Sequence, residues 1–202
     1  RRICRRRYQR THDAVAHDII GPKEVKSEGL SEPLLDQLLV TKPLTHRNEG
    51  ENLDLSGEQP VLSGSFNPGN GWQERKFDQP VTGRYVCLEA LSAQDGKDLA
   101  CIAEMYLLDE NGERLSREPW IVNYADSEDV SHVNCSADKI FDLQESTYWS
   151  TTKDTPYPHS VVIDLGSTRT LTGIQYLPRM ESEVPGGIKD FKVYVKSRAF
   201  NY

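Results

Sequence analysis

No stretch of this chain is apolar over the roughly 18–20 residues that a membrane-spanning helix needs, so a helical span is excluded. Catalytic signatures are also absent. There is no Gly-rich phosphate loop, dinucleotide fingerprint, nucleophile elbow or zinc motif. Cysteine is scarce: Cys4, Cys87, Cys101 and Cys135 show no CxxC and no metal-ligand spacing, which argues against a zinc site. Cys87 and Cys101 fall on strand-like segments, where they either pair or remain as buried free thiols. The chain opens at Arg1 without an initiator methionine or a signal-peptide pattern, and reads as a piece of a longer protein.

Hydrophobic residues are also sparse, at 37% of 202, and mean hydropathy is −0.62. That is low for a compact α/β enzyme and ordinary for a β-sandwich with large polar loops. Positive charge is lacking outside the first residues. Residues 1–20 carry six arginines against Asp13 and Asp18, a local +4, so with a total of −7 the other 182 residues share −11. An acidic body repels phosphate, and nucleic acid is not expected as a partner. His12 and His17, five residues apart, do not share a helical face and are not the HExxH pair of a zinc protease.

What is present divides near residue 60. Residues 1–59 read as a helical and linker segment, the tail of a preceding domain. Ile3, Cys4, Tyr8, Thr11 and Val15 fall near one helical face, and "SEPLLDQLLV" offers Ser31 as an N-cap with Leu34, Leu35, Leu38 and Leu39 as a stripe. From 60 to 202 the chain is a series of short runs rich in β-branched and aromatic residues, among them "GRYVCLEAL", "HSVVIDLG" and "KDFKVYVKS". Turn signals such as "NPGNG", "QDGKD" and "DENGE" separate them. That pattern predicts an all-β sandwich or barrel.

Several phrases then narrow the class. "SADKIFDLQESTYWST", "PHSVVIDLGSTRTLTGIQYLPR" and "GGIKDFKVYV" resemble the first half of a discoidin (coagulation-factor type C) module. "VLSGSF" and "GRYVCLEALSAQDGKDLACIAEMYLLD" resemble its second half. The resemblance implies a jelly-roll β-sandwich of the galactose-binding-like kind, with its two halves in inverted order. An open half-sandwich would expose an apolar face and unpaired edges, so one permuted domain is expected rather than two separate halves.

The same resemblance implies a non-catalytic carbohydrate-binding module appended to a glycan-degrading enzyme. The partners would be a terminal sugar or short oligosaccharide and a preceding catalytic domain, and the setting secreted, periplasmic or cell-surface. A structural or protein-docking module is the alternative. The "DKIFDLQEST" loop has an Asp, a Thr and free carbonyls, which suit a hard cation such as Ca²⁺. The resemblance assigns Asp142 and Thr147 as side-chain ligands, Lys139 and Gln144 as carbonyl ligands, and adds Glu104 with the Ala103 carbonyl. Gln144 and Glu145 stand where the family commonly has Gly-Asp. For the sugar, an aromatic face and planar hydrogen-bonding groups are needed. Loop residues Tyr157, His159, Arg179 and Trp72 are the candidates, whereas Trp149, Phe141, Tyr85 and Tyr106 lie in strand-like segments and read as core. Asn134 begins an N-x-S sequon.

Overall fold

The computed structural model describes residues 52–202 apart from Ser182. Both helical stretches expected before residue 41 lie outside the described residues. Eight strands follow in chain order: β1 (Leu62–Ser65), β2 (Gln73–Ala90), β3 (Cys101–Ile102), β4 (Glu104–Leu108), β5 (Ile121–Ala125), β6 (Trp149–Ser150), β7 (His159–Leu177) and β8 (Asp190–Lys196). A short 3-10 helix, Ala137–Phe141, precedes β6. All named strand pairs are antiparallel.

Two long strands organise the sandwich. β2 and β7, of 18 and 19 residues, pair nearly end to end, with register shifts between Lys76 and Val81 and between Gly83 and Tyr85. Bulges bend a strand and raise its twist, and on either side of these the ribbon has different neighbours. Tyr85–Ala90 lies between β8 and β7, β1 flanks β8, and β5 flanks the first part of β7. Gln73–Lys76 pairs instead with Gly173–Tyr176, whose far edge carries β4. Gly173 permits this approach, since a Cβ there would stand 2.7 Å from the Arg75 carbonyl oxygen. Along the order β1-β8-β2-β7-β4, strands from residues 62–108 alternate with strands from residues 159–196.

The side chains between the two layers explain why these runs fold this way. Val86, Leu88 and Ala90 of β2, Val161, Ile163 and Ile174 of β7 and Val193 of β8 alternate inward. Phe66 stacks on Phe191 at 4.1 Å and on Tyr176 at 4.3 Å. Each such fully buried side chain contributes about 1.5–3 kcal/mol relative to exposure. Tyr176 also satisfies its hydroxyl, donating to the Cys101 carbonyl at 3.2 Å and accepting the Ile188 N–H at 3.0 Å.

The runs at 86–90 and 161–165 are continuously buried because their outer face is covered too. Cys87, Val162, Tyr194, Tyr124 and Phe200 form a second apolar cluster there, with Leu53, Leu55, Tyr85 and Tyr202 packed on it. The last part of the segment expected to be linker therefore packs on the sandwich. Glu58 pairs with Lys196, and the Asp54 N–H donates to the Asn201 carbonyl at 3.0 Å, so the two ends of the described body lie side by side.

Cys87 and Cys101 are free thiols, both fully buried. Burial pushes the Cys87 thiol well up, and it pushes Cys101 up to about 11. The thiolate is the reactive form, so neither cysteine should be alkylated by iodoacetamide in the native protein at pH 8. Both should label in denaturant. Peptide mapping by mass spectrometry checks this, and native labelling at either position would contradict the packing.

Candidate functional site

The loop after the 3-10 helix gathers oxygen atoms. Asp142 Oδ1 accepts the Gln144 N–H at 2.9 Å, and the Thr147 hydroxyl lies 2.8 Å from Asp142 Oδ2 and 3.0 Å from the Gln144 carbonyl. Leu143 crosses the top of this turn at φ 68, with its side chain 72% exposed. Glu104 comes from the start of β4 and is buried. Its Oε2 accepts from Arg117 Nη1, while its Oε1 has no hydrogen-bond partner among the described residues. Burial pushes the Glu104 carboxyl above its ordinary range, Arg117 opposes that, and the charge of Asp142 adds to it. Glu104 and Asp142 thus sit within electrostatic reach of each other.

These groups fit a hard cation. Two carboxylates, a hydroxyl and a carbonyl are oxygen donors of the type Ca²⁺ selects, and the orphaned Glu104 Oε1 is the kind of buried atom an ion would satisfy. The ligands would have to include carbonyls, because among the described residues no cluster of three or more Asp, Glu, His or Cys side chains could hold a metal. Ala103 is buried and its N–H donates to the Leu177 carbonyl. Lys139 is seen through its side chain, whose ammonium stands 3.4 Å from Asp142 Oδ2.

The four residues expected to meet a sugar fall into three separate groups. Tyr157 donates its hydroxyl to the Leu99 carbonyl at 2.5 Å and packs edge-on against His159 at 4.6 Å. His159 is fully buried, with Nδ1 at 2.7 Å from Asp126 Oδ2 and Nε2 without a hydrogen-bond partner among the described residues. His159 is held inside the domain, and Tyr157 is half-buried against it. Arg179 is likewise half-buried. Its guanidinium lies 4.0 Å over the Tyr148 ring and bonds Glu181 at 2.5 Å. Trp72 belongs to another surface, where its indole N–H donates to Glu145 at 3.1 Å and Arg114 stacks at 4.6 Å.

A concavity of about 430 Å³ opens among loops that the sequence did not single out. Glu128, Asp129, Val130, Ser131, His132, Thr152 and Lys153 line it. Its walls are pinned from below. The Trp149 indole N–H donates to the Ser127 carbonyl at 3.0 Å, and the Ala137 N–H donates to Glu128 Oε1. The Asp129 N–H donates to the Ser150 carbonyl at 2.8 Å. Hydrogen bonds from Ser131 hold the Asp129 carboxyl below the usual range, with His132 and Lys153 adding smaller positive contributions. Carboxylates, a hydroxyl and an ammonium on rigidly held loops can donate to and accept from a neutral polyol. Charged residues are plentiful in this sequence, which is why these carried no signal. Among the described residues no helix is long and apolar enough to cross a membrane.

Comparison with known proteins bears on the fold. Residues 123–202 match the F5/8 type C domain, the discoidin type that the sequence resembles. A stretch of 73 residues is 36% identical to a sialidase from Micromonospora viridifaciens, covering 34% of this chain and 11% of the relative. A stretch of 91 residues is 28% identical to a galactose oxidase from Gibberella zeae, covering 45% of this chain and 13% of the relative. The chain thus matches only about a tenth of the length of these relatives. Domains of the F5/8 type C kind are in general binding modules and not catalysts.

Proposed function

We propose that residues 60–202 are a non-catalytic carbohydrate-binding module, one sandwich with its halves in inverted order, appended to a larger glycan-degrading enzyme that works outside the cytoplasm. The observation that carries this reading is the polar concavity at Glu128–His132 and Thr152–Lys153, held on the loops of a sandwich that matches the F5/8 type C domain. Strands from the two halves alternate in the sheet, and Asp54 lies beside Asn201 at the ends of the described body, which supports the inverted order. Both named relatives are enzymes, one a sialidase and the other a galactose oxidase.

The concavity is small and its contacts few, so the expected dissociation constant for a terminal sugar or short oligosaccharide is about 10⁻³–10⁻⁵ M. Calorimetry against a broad glycan panel tests this. Asp129→Ala and Lys153→Ala should each weaken binding about tenfold or more with an unchanged melting temperature. Arg179→Ala reports whether the Tyr148 surface extends the site. Because His159 is buried, its replacement should act on stability first, whereas half-buried Tyr157 would act on stability through the Leu99 carbonyl it bonds. Silence toward every glycan in the panel would favour a protein-docking module, for which Val130 and Val133 on the same loop are exposed at 59% and 64%.

The same reading includes a non-catalytic Ca²⁺, of the structural kind, that would be held by Asp142 and Thr147 side chains, Glu104, and carbonyls of Lys139, Gln144 and Ala103. How much it stabilises depends on what already neutralises Glu104. When bound, the ion would supply positive charge between two carboxylates from distant parts of the chain. Glu104 and Asp142 would orient it, and Thr147 would turn its hydroxyl oxygen toward it instead of toward Asp142.

A further inference from the structure

Glu104 already has a cation. Arg117 reaches it from the segment that joins β4 to β5, with its own side chain 4% exposed. The guanidinium is fixed on several sides. Nη1 also donates to the Met105 carbonyl at 3.1 Å, Nη2 donates to the Tyr106 hydroxyl at 2.8 Å, and its carbon lies 3.7 Å from the centre of the Tyr106 ring. Arg114 lies 4.0 Å from the centre of that same ring. Two guanidinium groups so close to one ring have no room on a single face, so Tyr106 is held between them. Trp120, three residues past Arg117, is buried in the core and anchors the segment.

We infer that Arg117 is a resident counter-ion that competes with Ca²⁺ for Glu104, so that the domain folds without metal and binds it weakly. This rests on the calcium reading above. Arg117 and Lys139 together balance Glu104 and Asp142 before any ion arrives. Lys139, with a side chain 21% exposed, can swing into water when a divalent cation enters. Arg117 cannot leave, because burial and its contacts to Glu104, Met105 and Tyr106 hold it, and its charge then opposes the incoming ion at short range. In a sandwich of inverted order, residues 109–120 are the connection that the inversion requires. The counter-ion is thus delivered by the very segment that joins the two halves.

The test is calorimetric Ca²⁺ titration and thermal melting of the metal-stripped full chain, comparing wild type, Arg117→Met and Arg117→Gln. Wild type should melt nearly alike with Ca²⁺ and with EGTA. Both variants should melt lower in EGTA, recover in millimolar Ca²⁺, and bind Ca²⁺ about 10- to 100-fold more tightly than wild type. A variant that folds only with Ca²⁺ present would equally support the competition. Equal Ca²⁺ affinity in wild type and variants would overturn the competition while leaving the calcium site in place. If no protein of the set binds Ca²⁺ and Arg117→Gln is destabilised equally with and without it, the calcium reading itself falls, and the competition with it.

Discussion

Trp149→Ala is expected to lower the unfolding free energy by about 3–5 kcal/mol, the range for removing a large aromatic from a packed core. Trp149 is 1% exposed and pairs across to Ile102, which is itself fully buried. For a domain of this size the melting temperature should fall by about 6–20 °C, since each kcal/mol shifts it by about 2–4 °C. Trp149→Phe keeps most of the volume but leaves the Ser127 carbonyl without its donor, and should cost about 1–3 kcal/mol. Urea titration measures both, with the midpoint moving and the slope unchanged. A loss below about 1 kcal/mol for the alanine variant would mean that the indole is not core. Because Ser127 begins the loop that lines the concavity, glycan affinity should fall in both variants.

The second large effect is expected at Asp126. Its Oδ2 holds His159 Nδ1 and its Oδ1 accepts the Ser160 N–H at 2.8 Å. Asp126→Ala leaves a buried imidazole and a mostly buried backbone donor without an acceptor, each worth about 1–3 kcal/mol. A loss of about 2–5 kcal/mol should follow, visible in the same urea titration. Asp126→Asn retains an acceptor for one of the two donors and should lose about half as much. Were His159 instead a sugar ligand, its replacement by Gln would abolish glycan binding and leave the melting temperature alone. The burial of His159 predicts the reverse order of effects.

The sandwich was legible because short-range pattern carries it. "DFKVYVK" alternates along β8 as residues on a pleated strand must, and the turn residues between runs mark where strands end. Trp149 and Phe141 read as packing residues for the same reason, and they do pack there. That Glu104 lies within electrostatic reach of Asp142 has no local signal, since no local rule links residues 38 positions apart. Tyr157 and His159 read as surface candidates because their loop is polar, yet His159 is buried and Tyr157 beside it is half-buried. Their actual partners, Leu99 and Asp126, stand 58 and 33 residues away in sequence. Arg117 sits in "SREPW", where one arginine in a polar stretch has no periodicity to betray burial. The concavity is built from ordinary charged loop residues whose convergence is a property of the folded chain alone.

The neighbouring ends of the described body have a mechanical consequence. β1 and β8 run antiparallel, with Val61 donating to the Val193 carbonyl and the Asp54–Asn201 contact beyond it. Tension applied through residues 52 and 202 would therefore part Asp54 from Asn201 first, then Val61 from Val193, opening the pair one rung at a time like a zipper. A shear load would have to break all of the rungs together. Pulled through these ends, the domain should yield at low force by peeling β1 from the edge of the sheet, with the β2–β7 ribbon intact behind it.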